Sequence, residues 1–467
     1  MVTMWQPNLA GYAGPKYKAL ADAISDAILK GELASEVKLP PQRRLADALG
    51  VTVGTVTRAY ALVEQRGHVE ARVGSGTYVC PSKTVSQYAL NHDPDKIDFA
   101  TCRAPQLEQA RMMAIGFEQL SKSPDLLVQL GEYQVNPPPY QLNQYQLWLE
   151  QQGVVFASGE APSELHFSYG GQHAIYAYLS ATCRPGDSIV CEALCYPGVV
   201  KAAQRLGLKI LSVEMDEQGM VPDKLSSLCK QQKPKCMYVT PNNQNPTCAA
   251  MSLQRRQELI AVAQQYDVAI IEDEVNFCTV EHRLPTLQSL APERVTYISS
   301  FSKRFMAGLR IGMLVTPNVY ALAVKQALHA NTWMVSPFMF ELGYQWLKNG
   351  DMARIQSCIT DEMRKRQRAA TAVLGNMDVQ LQFGGYNLWV VLPPHASANR
   401  LANHLAEQGV VVRVASDFAS HQPHNKAELP NALRLSLSAP QRFTDVERGL
   451  RLITQAYAHI EQHAFVV

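Results

Sequence analysis

Val295-Thr-Tyr-Ile-Ser-Ser-Phe-Ser-Lys303, with Gly308, Arg310 and Gly312 close behind, is the stretch on which the reading of this chain turns. Val295 to Ser299 is a strand-like run that includes β-branched and aromatic residues. It gives way to a serine-rich turn that carries one lysine. An amine held neutral and in place can form a Schiff base with an aldehyde. A phosphate on the same ligand needs hydroxyl and guanidinium donors, and Ser300 and Arg310 lie three residues before and seven after Lys303.

The residues upstream give that turn its weight. The apolar run Val268 to Ile271 leads to Asp273, thirty residues before Lys303. A carboxylate at the C-terminal end of a strand can partner the protonated nitrogen of a pyridine ring. Ligands of open α/β sheets bind at those strand ends. Asn245-Pro246-Thr247 follows the run Cys236 to Thr240, and Asn245 could reach a ring hydroxyl. Tyr196 follows Ser188 to Cys191 and could stack on a ring. Gly170-Gly171-Gln172 opens a helix expected from His173, where free backbone N–H groups can hold phosphate. These runs, with Lys209 to Val213, alternate with amphipathic helices such as Leu253 to Tyr266, which predicts a mostly parallel, doubly wound sheet.

A smaller unit precedes it. Residues 17 to 30 predict an amphipathic helix with Leu20, Ile24, Ala27 and Ile28 on one face. Leu39-Pro40-Pro41 leads to a short helix, Gln42 to Leu49, stopped by Gly50. Thr52 caps a third helix, Val53 to Gln65. Two helices across a short turn containing glycine are helix-turn-helix geometry. Val69 to Val73 and Thr77 to Val79 flank Gly74-Ser75-Gly76 as a hairpin wing. Thr52, Thr55, Thr57 and Arg58 on the third helix suit base and phosphate contacts in a major groove, and Arg43 and Arg44 suit phosphates.

Composition sets the outer bounds. Hydrophobic residues are 47% and charged residues 18% of the chain, which excludes a disordered protein. A net charge of +2 confines any nucleic-acid contact to a local patch. The ten cysteines include no CxxC pair, so free thiols are expected and no metal site. No signal-peptide core and no membrane-length apolar run is present, so a cytoplasmic location is expected.

Residues 15–80 resemble the GntR-type winged helix. Leu39-Pro40, Arg43, Leu45-Ala46, Thr55-Val56, Arg58-Ala59-Tyr60 and Gly74-Ser75-Gly76-Thr77 carry the resemblance, with Pro41 where that family usually has Ser. About residues 110 to 460 resemble the fold type I aminotransferases, with Gly171, Tyr196, Asn245, Asp273 and Lys303 in that family's order. Together the two resemble the MocR-like subfamily of GntR regulators. The resemblance implies a multidomain chain. A small α+β winged helix-turn-helix is followed by a polar linker, 81–98, and an α/β pyridoxal-phosphate-dependent transferase fold over 99–467. The large part of that fold would span about 140–340, with a smaller C-terminal α+β subdomain about 345–467.

By the same resemblance Lys303 forms the Schiff base with pyridoxal 5'-phosphate and Asp273 partners its ring nitrogen. Asn245 contacts the ring hydroxyl and Tyr196 stacks. Gly171, Gln172, Ser300 and Arg310 hold phosphate, and Arg434 grips a ligand carboxylate. Arg43, Arg44, Thr52, Thr55, Thr57, Arg58 and Gly76 contact double-stranded DNA. Four departures stand out. Val275 and Asn276 occupy positions where the family has a Tyr, Cys248 replaces a Gly, Ala307 a Pro, and Leu142-Asn143 stand near the usual Leu-Arg. The implied function is a homodimeric regulator, whose DNA-binding unit could swap onto the partner subunit, sensing pyridoxal phosphate or an amine or amino acid. The alternative is a working aminotransferase with an accessory DNA-binding domain.

Overall fold

In the computed structural model, Gly50 turns the chain with a left-handed backbone (φ +60°) between α2 (Gln42–Leu49) and α3 (Val53–Gln65). Few residues other than glycine adopt that conformation without strain. Thr52 Oγ1 then accepts from Thr55 N at 3.2 Å, the capping expected of it. Leu20, Ile24 and Ala27 of α1 (Lys16–Leu29) pack with Leu45, Val56, Ala59, Tyr60 and Val63 in one buried cluster. Tyr60 Oη donates to Pro40 O at 2.7 Å and ties α3 to the segment before α2. β1 (Val69–Arg72) and β2 (Gly76–Val79) form the antiparallel wing.

The structure describes all residues except 1–4, 10, 13, 30–31, 35, 66–67, 73–74, 80–95, 134, 157–162, 278, 280–282, 421–428 and 465–467. The chain divides into two units, 1–92 and 93–467. Most of the expected linker, 81–95, lies outside the described residues. Its C-terminal end is not linker. Ile97–Asp98 is a strand, β3, paired in parallel with Val410–Val411. Ile97 and the neighbouring Phe99 are buried, so apolar packing pulls this end into the second unit.

The second unit is built on a seven-stranded sheet of β4 (Ser163–Tyr169), β5 (Ser188–Glu192), β6 (Lys209–Val213), β7 (Cys236–Val239), β8 (Ala269–Asp273), β9 (Val295–Ser300) and β10 (Ile311–Pro317), in the order β4-β10-β9-β8-β7-β5-β6. β5 to β9 run parallel, and β10 is antiparallel to both β9 and β4. Successive strand residues enter opposite cores. Ile189, Tyr238 and Ile271 join one cluster, while Val190, Met237 and Ile270 join another. Helices therefore cover both faces, as the alternating pattern predicts. A smaller sheet joins β11 (Asp378–Leu381), β12 (Asn387–Val391), β13 (Arg413–Val414) and β14 (Ala432–Ser436) in the order β11-β12-β14-β13. Among the described residues no helix is long and apolar enough to cross a membrane, and no cysteine is in a disulfide.

One aromatic socket fixes the turn after β9. Phe301 is fully buried, edge-on to Trp148 at 5.1 Å between ring centroids and stacked on Tyr145 at 5.8 Å. Phe301→Ala is expected to cost about 3–5 kcal/mol, the usual loss for emptying an aromatic core position. Urea unfolding of the two proteins measures it.

Candidate functional site

The C-terminal ends of β7 and β8 and the turn after β9 open on a cavity of about 620 Å³. Gly171, Gln172, Tyr196, Asn245, Asp273, Lys303 and Arg310 all line it, joined by Tyr238, Asn276 and Ser302. Seven residues separated by up to 139 positions in the chain thus meet in one place.

Lys303 sits on a single helical turn, Phe301–Arg304. Ser300 caps that turn by accepting from Ser302 N at 3.1 Å. The Tyr386 hydroxyl donates to Lys303 O at 2.5 Å. Arg304, buried behind the turn, donates to Glu274 O at 3.0 Å. Held this way, Lys303 Nζ projects into the cavity. It donates to Asn276 Oδ1 at 2.7 Å and lies 5.9 Å from the Tyr196 ring centroid.

Asp273 is the buried anion of the site. Its Oδ2 accepts from Tyr238 Oη at 2.6 Å and its Oδ1 from Val275 N at 2.9 Å. Burial lifts its pKa above the usual carboxylate range, while Tyr238, the Val275 N–H and the Lys303 charge oppose that lift. A carboxylate so placed is suited to a cationic N–H. Tyr196 is also shifted upward, first by burial and then by Asp273.

The opposite end is shaped for an anion. The helix Gly170–Thr182 follows β4 without a loop, so it begins three residues before the expected His173. Arg310 takes a left-handed backbone (φ +53°) and donates through Nη2 to Tyr169 O at 2.8 Å, across that helix N-terminus. A Cβ on Gly170 would lie 2.7 Å from the Arg310 guanidinium, and one on Gly171 would lie 2.6 Å from Val275 Cγ2. Small residues here keep the helix's unpaired N–H groups beside the guanidinium. Gln172 anchors the neighbouring turn by donating to Gly198 O at 3.0 Å.

Two expected residues fall elsewhere. Ser300 does not line the cavity. It is fully buried and its hydroxyl donates to Ile311 O at 2.9 Å, because β10 lies alongside β9 at that point. Ser302 takes its place, with its Oγ 3.3 Å from Arg310 Nη1. Arg434 lines a second cavity, of about 870 Å³, which shares Tyr196, Asn245 and Lys303 with the first. Its Nη1 donates to Asn245 Oδ1 at 2.9 Å, its Nη2 donates to Ala100 O, and its guanidinium lies 4.9 Å from the Phe418 ring centroid.

Sequence reasoning missed Tyr238, Ser302 and Tyr386. Tyr238 read as strand core, and only its register opposite Ile271 brings it beside Asp273. Ser302 was visible in the serine turn but indistinguishable from Ser300 without side-chain directions. On the sequence alone, Asn276 reads as the loss of a Tyr. In the structure it has a contact of its own. Its Nδ2 donates to Asn243 O at 3.0 Å, and since a carbonyl can only accept, the amide oxygen must face Lys303. Cys248 adopts φ +62°, the left-handed region that explains a Gly at this position in the family.

In the first unit, Arg43 and Arg44 on α2 and Thr57 and Arg58 on α3 are exposed. Thr52 and Thr55 bond each other at 2.9 Å, and Thr57 Oγ1 donates to Gln42 Oε1 at 2.7 Å. These hydroxyls partly serve the helix ends and the α2–α3 contact. Gly76 (φ +117°) lies at the wing turn, where a Cβ would come within 2.6 Å of Lys38.

Residues 16–79 match the family of bacterial regulatory proteins of the gntR family, and residues 148–451 match aminotransferase class I and II. The uncharacterized HTH-type transcriptional regulator YdeF of Bacillus subtilis (strain 168) is 30% identical over 96% of this chain and 96% of its own. The chain belongs to the MocR-like GntR regulators. The HTH-type transcriptional regulator TauR of Rhodobacter capsulatus is 26% identical, over 94% of this chain and 98% of its own. Among solved structures, an archaeal alanine:glyoxylate aminotransferase superposes with a TM-score of 0.68, covering 80% of this chain and 93% of that one at 23% identity. It shares the fold of this MocR-like chain's second unit.

The Asn276 geometry makes a spectroscopic prediction. With pyridoxal phosphate joined to Lys303, the Asn276 amide oxygen would accept a hydrogen bond from the protonated linkage nitrogen, whereas a phenol in its place would donate toward the ring oxygen and give the proton no such partner. Asn276→Tyr protein supplied with pyridoxal phosphate is expected to lose its long-wavelength absorption band at a pH lower by about one unit than the parent. A pH titration of absorbance checks it, and an unchanged or higher midpoint contradicts it.

Proposed function

We propose that the protein is a transcription regulator that binds operator DNA through α2, α3 and the wing, and senses pyridoxal phosphate or an amine or amino acid at Lys303. The single observation that carries this reading is the fusion of a gntR unit to a cavity where Lys303, Asp273, Asn245 and Arg310 converge.

The donor set fits pyridoxal phosphate. Lys303 Nζ reaches into the cavity, a buried carboxylate stands ready for a ring N–H, and glycines beside Arg310 leave room for an anion at a helix N-terminus. Bound there, the cofactor would supply an aldehyde for Lys303 and an electron-withdrawing ring. Asp273 would hold a proton on the ring nitrogen and Asn245 would orient the ring hydroxyl. Tyr196 would cover one face. The backbone N–H groups at Gly171 and Gln172, with Arg310 and Ser302, would hold phosphate. Arg434, fixed by Asn245 and Ala100 O, would receive a ligand carboxylate in a forked contact.

A turnover reading is the alternative. The set of Lys303, Asp273 and Arg434 favours it, while Asn276 in place of a phenol and the relatives' names as regulators weigh against it. We assign the chain to a homodimer. Val319 and Leu322 on the helix Asn318–Asn331 are 75% and 68% exposed, and Tyr133, 82% exposed, contacts Trp333 edge-on at 5.8 Å. A partner subunit would cover such apolar surface, and two subunits would present two DNA-binding units to paired half-sites. An effector shifts DNA binding only if it favours one of two conformations.

Gel-shift titrations with operator DNA, with and without pyridoxal phosphate and a panel of amines, test the reading. The expected result is an effector-dependent change in DNA affinity that Lys303→Ala abolishes while DNA binding itself persists. A Lys303→Ala protein that responds as the parent does would sink it.

A further inference from the structure

The second cavity carries a charge imbalance that the cofactor site does not explain. Four cations line it, Lys201, Lys303, Arg413 and Arg434, against one carboxylate, Asp417. Arg413 and Arg434 are direct cross-strand partners in β13 and β14, which places both side chains on one face of the small sheet. Like charges opposite each other destabilise a sheet unless something anionic lies between or beside them. Burial lowers the Arg434 pKa and Arg413 adds to that, while Cys102, Cys248 and Asp98 oppose the shift.

The protein itself answers little of this charge. Asp417 lies 3.5 Å from Arg413, and both are partly exposed. Arg434 is 5% exposed, its Nη groups donate to a neutral amide oxygen and a carbonyl, and its Nε is buried with no partner among the described residues. Arg310 and Asp273 line the first cavity and not this one, so a cofactor phosphate at Arg310 leaves these charges unmet.

We propose that the effector is an amino acid with a second anionic group. Its α-carboxylate lies at Arg434, its amine is directed at Lys303, and its distal carboxylate lies between Arg413 and Lys201. This deepens the reading of Lys303 as the effector site and rests on it. One carboxylate would neutralise Arg434 alone. Lys201, together with Arg413, which is already shared with Asp417, favours a dicarboxylate over a neutral or cationic side chain, because an amide cannot return a charge-assisted bond of equal strength.

The test is calorimetric. Full-length protein loaded with pyridoxal phosphate is titrated with L-aspartate and L-glutamate, and with L-asparagine and L-glutamine as uncharged matches of the same shape. At least one acid is expected to bind about tenfold more tightly than its amide, the value of one charge-assisted contact. Arg413→Gln and Lys201→Gln are each expected to reduce that preference. Amides that bind as tightly as the acids, or a preference that survives intact in both variants, overturn the inference. Failure to take up pyridoxal phosphate at all overturns the reading of Lys303 and this inference with it, and the absorbance of the loaded protein separates that result from the other.

Discussion

One helical turn, Phe301–Arg304, sets the direction of Lys303, and the rest of the site is arranged around it. Four residues cannot hold a helix by themselves, because nucleation costs more than one turn of hydrogen bonds returns. The turn is instead held from outside. Ser300 caps its start, Phe301 fills a socket of Tyr145 and Trp148, Arg304 bonds the strand exit at Glu274, and Tyr386 of the second unit's C-terminal part bonds Lys303 O. The lysine is placed by packing and backbone contacts, which leaves its amine available for chemistry.

Two electrostatic environments meet at that amine. On one side, one cavity holds a buried carboxylate, Asp273, and the Arg310 guanidinium beside a helix N-terminus. On the other, paired arginines in the small sheet leave an excess of positive charge. Asn245 and Tyr196 belong to both cavities, and the Asn245 amide bonds Arg434 directly. A ligand carboxylate at Arg434 would therefore act on the residue proposed to orient the cofactor ring. Such a shared contact is the minimum physical requirement for an effector to alter how the cofactor is held.

Much of this was legible in the sequence. The strand runs, the two helices across Gly50, and the convergence of Asp273, Asn245 and Lys303 follow from periodicity and from ligands binding at strand ends. What stayed hidden depended on side-chain direction or on register. Ser300 and Ser302 differ by two residues, and only the packing of β10 decides that the first turns inward to Ile311 O. Tyr238 looks like any strand residue until pairing with β8 sets it against Asp273. Arg413 reads as an ordinary strand arginine until the small sheet places it opposite Arg434. The early end of the linker went unread because two short strands, Ile97–Asp98 and Val410–Val411, are too brief to announce themselves by alternation.

The proposed function depends on Lys303, among all the lysines of the chain, being the one that would hold pyridoxal phosphate. Full-length protein incubated with pyridoxal phosphate, reduced with borohydride and digested for peptide mass spectrometry tests it most directly. A stable pyridoxyl adduct concentrated on the peptide that contains Lys303 is expected. Absence of an adduct, or one spread over surface lysines with no preference for Lys303, would contradict it.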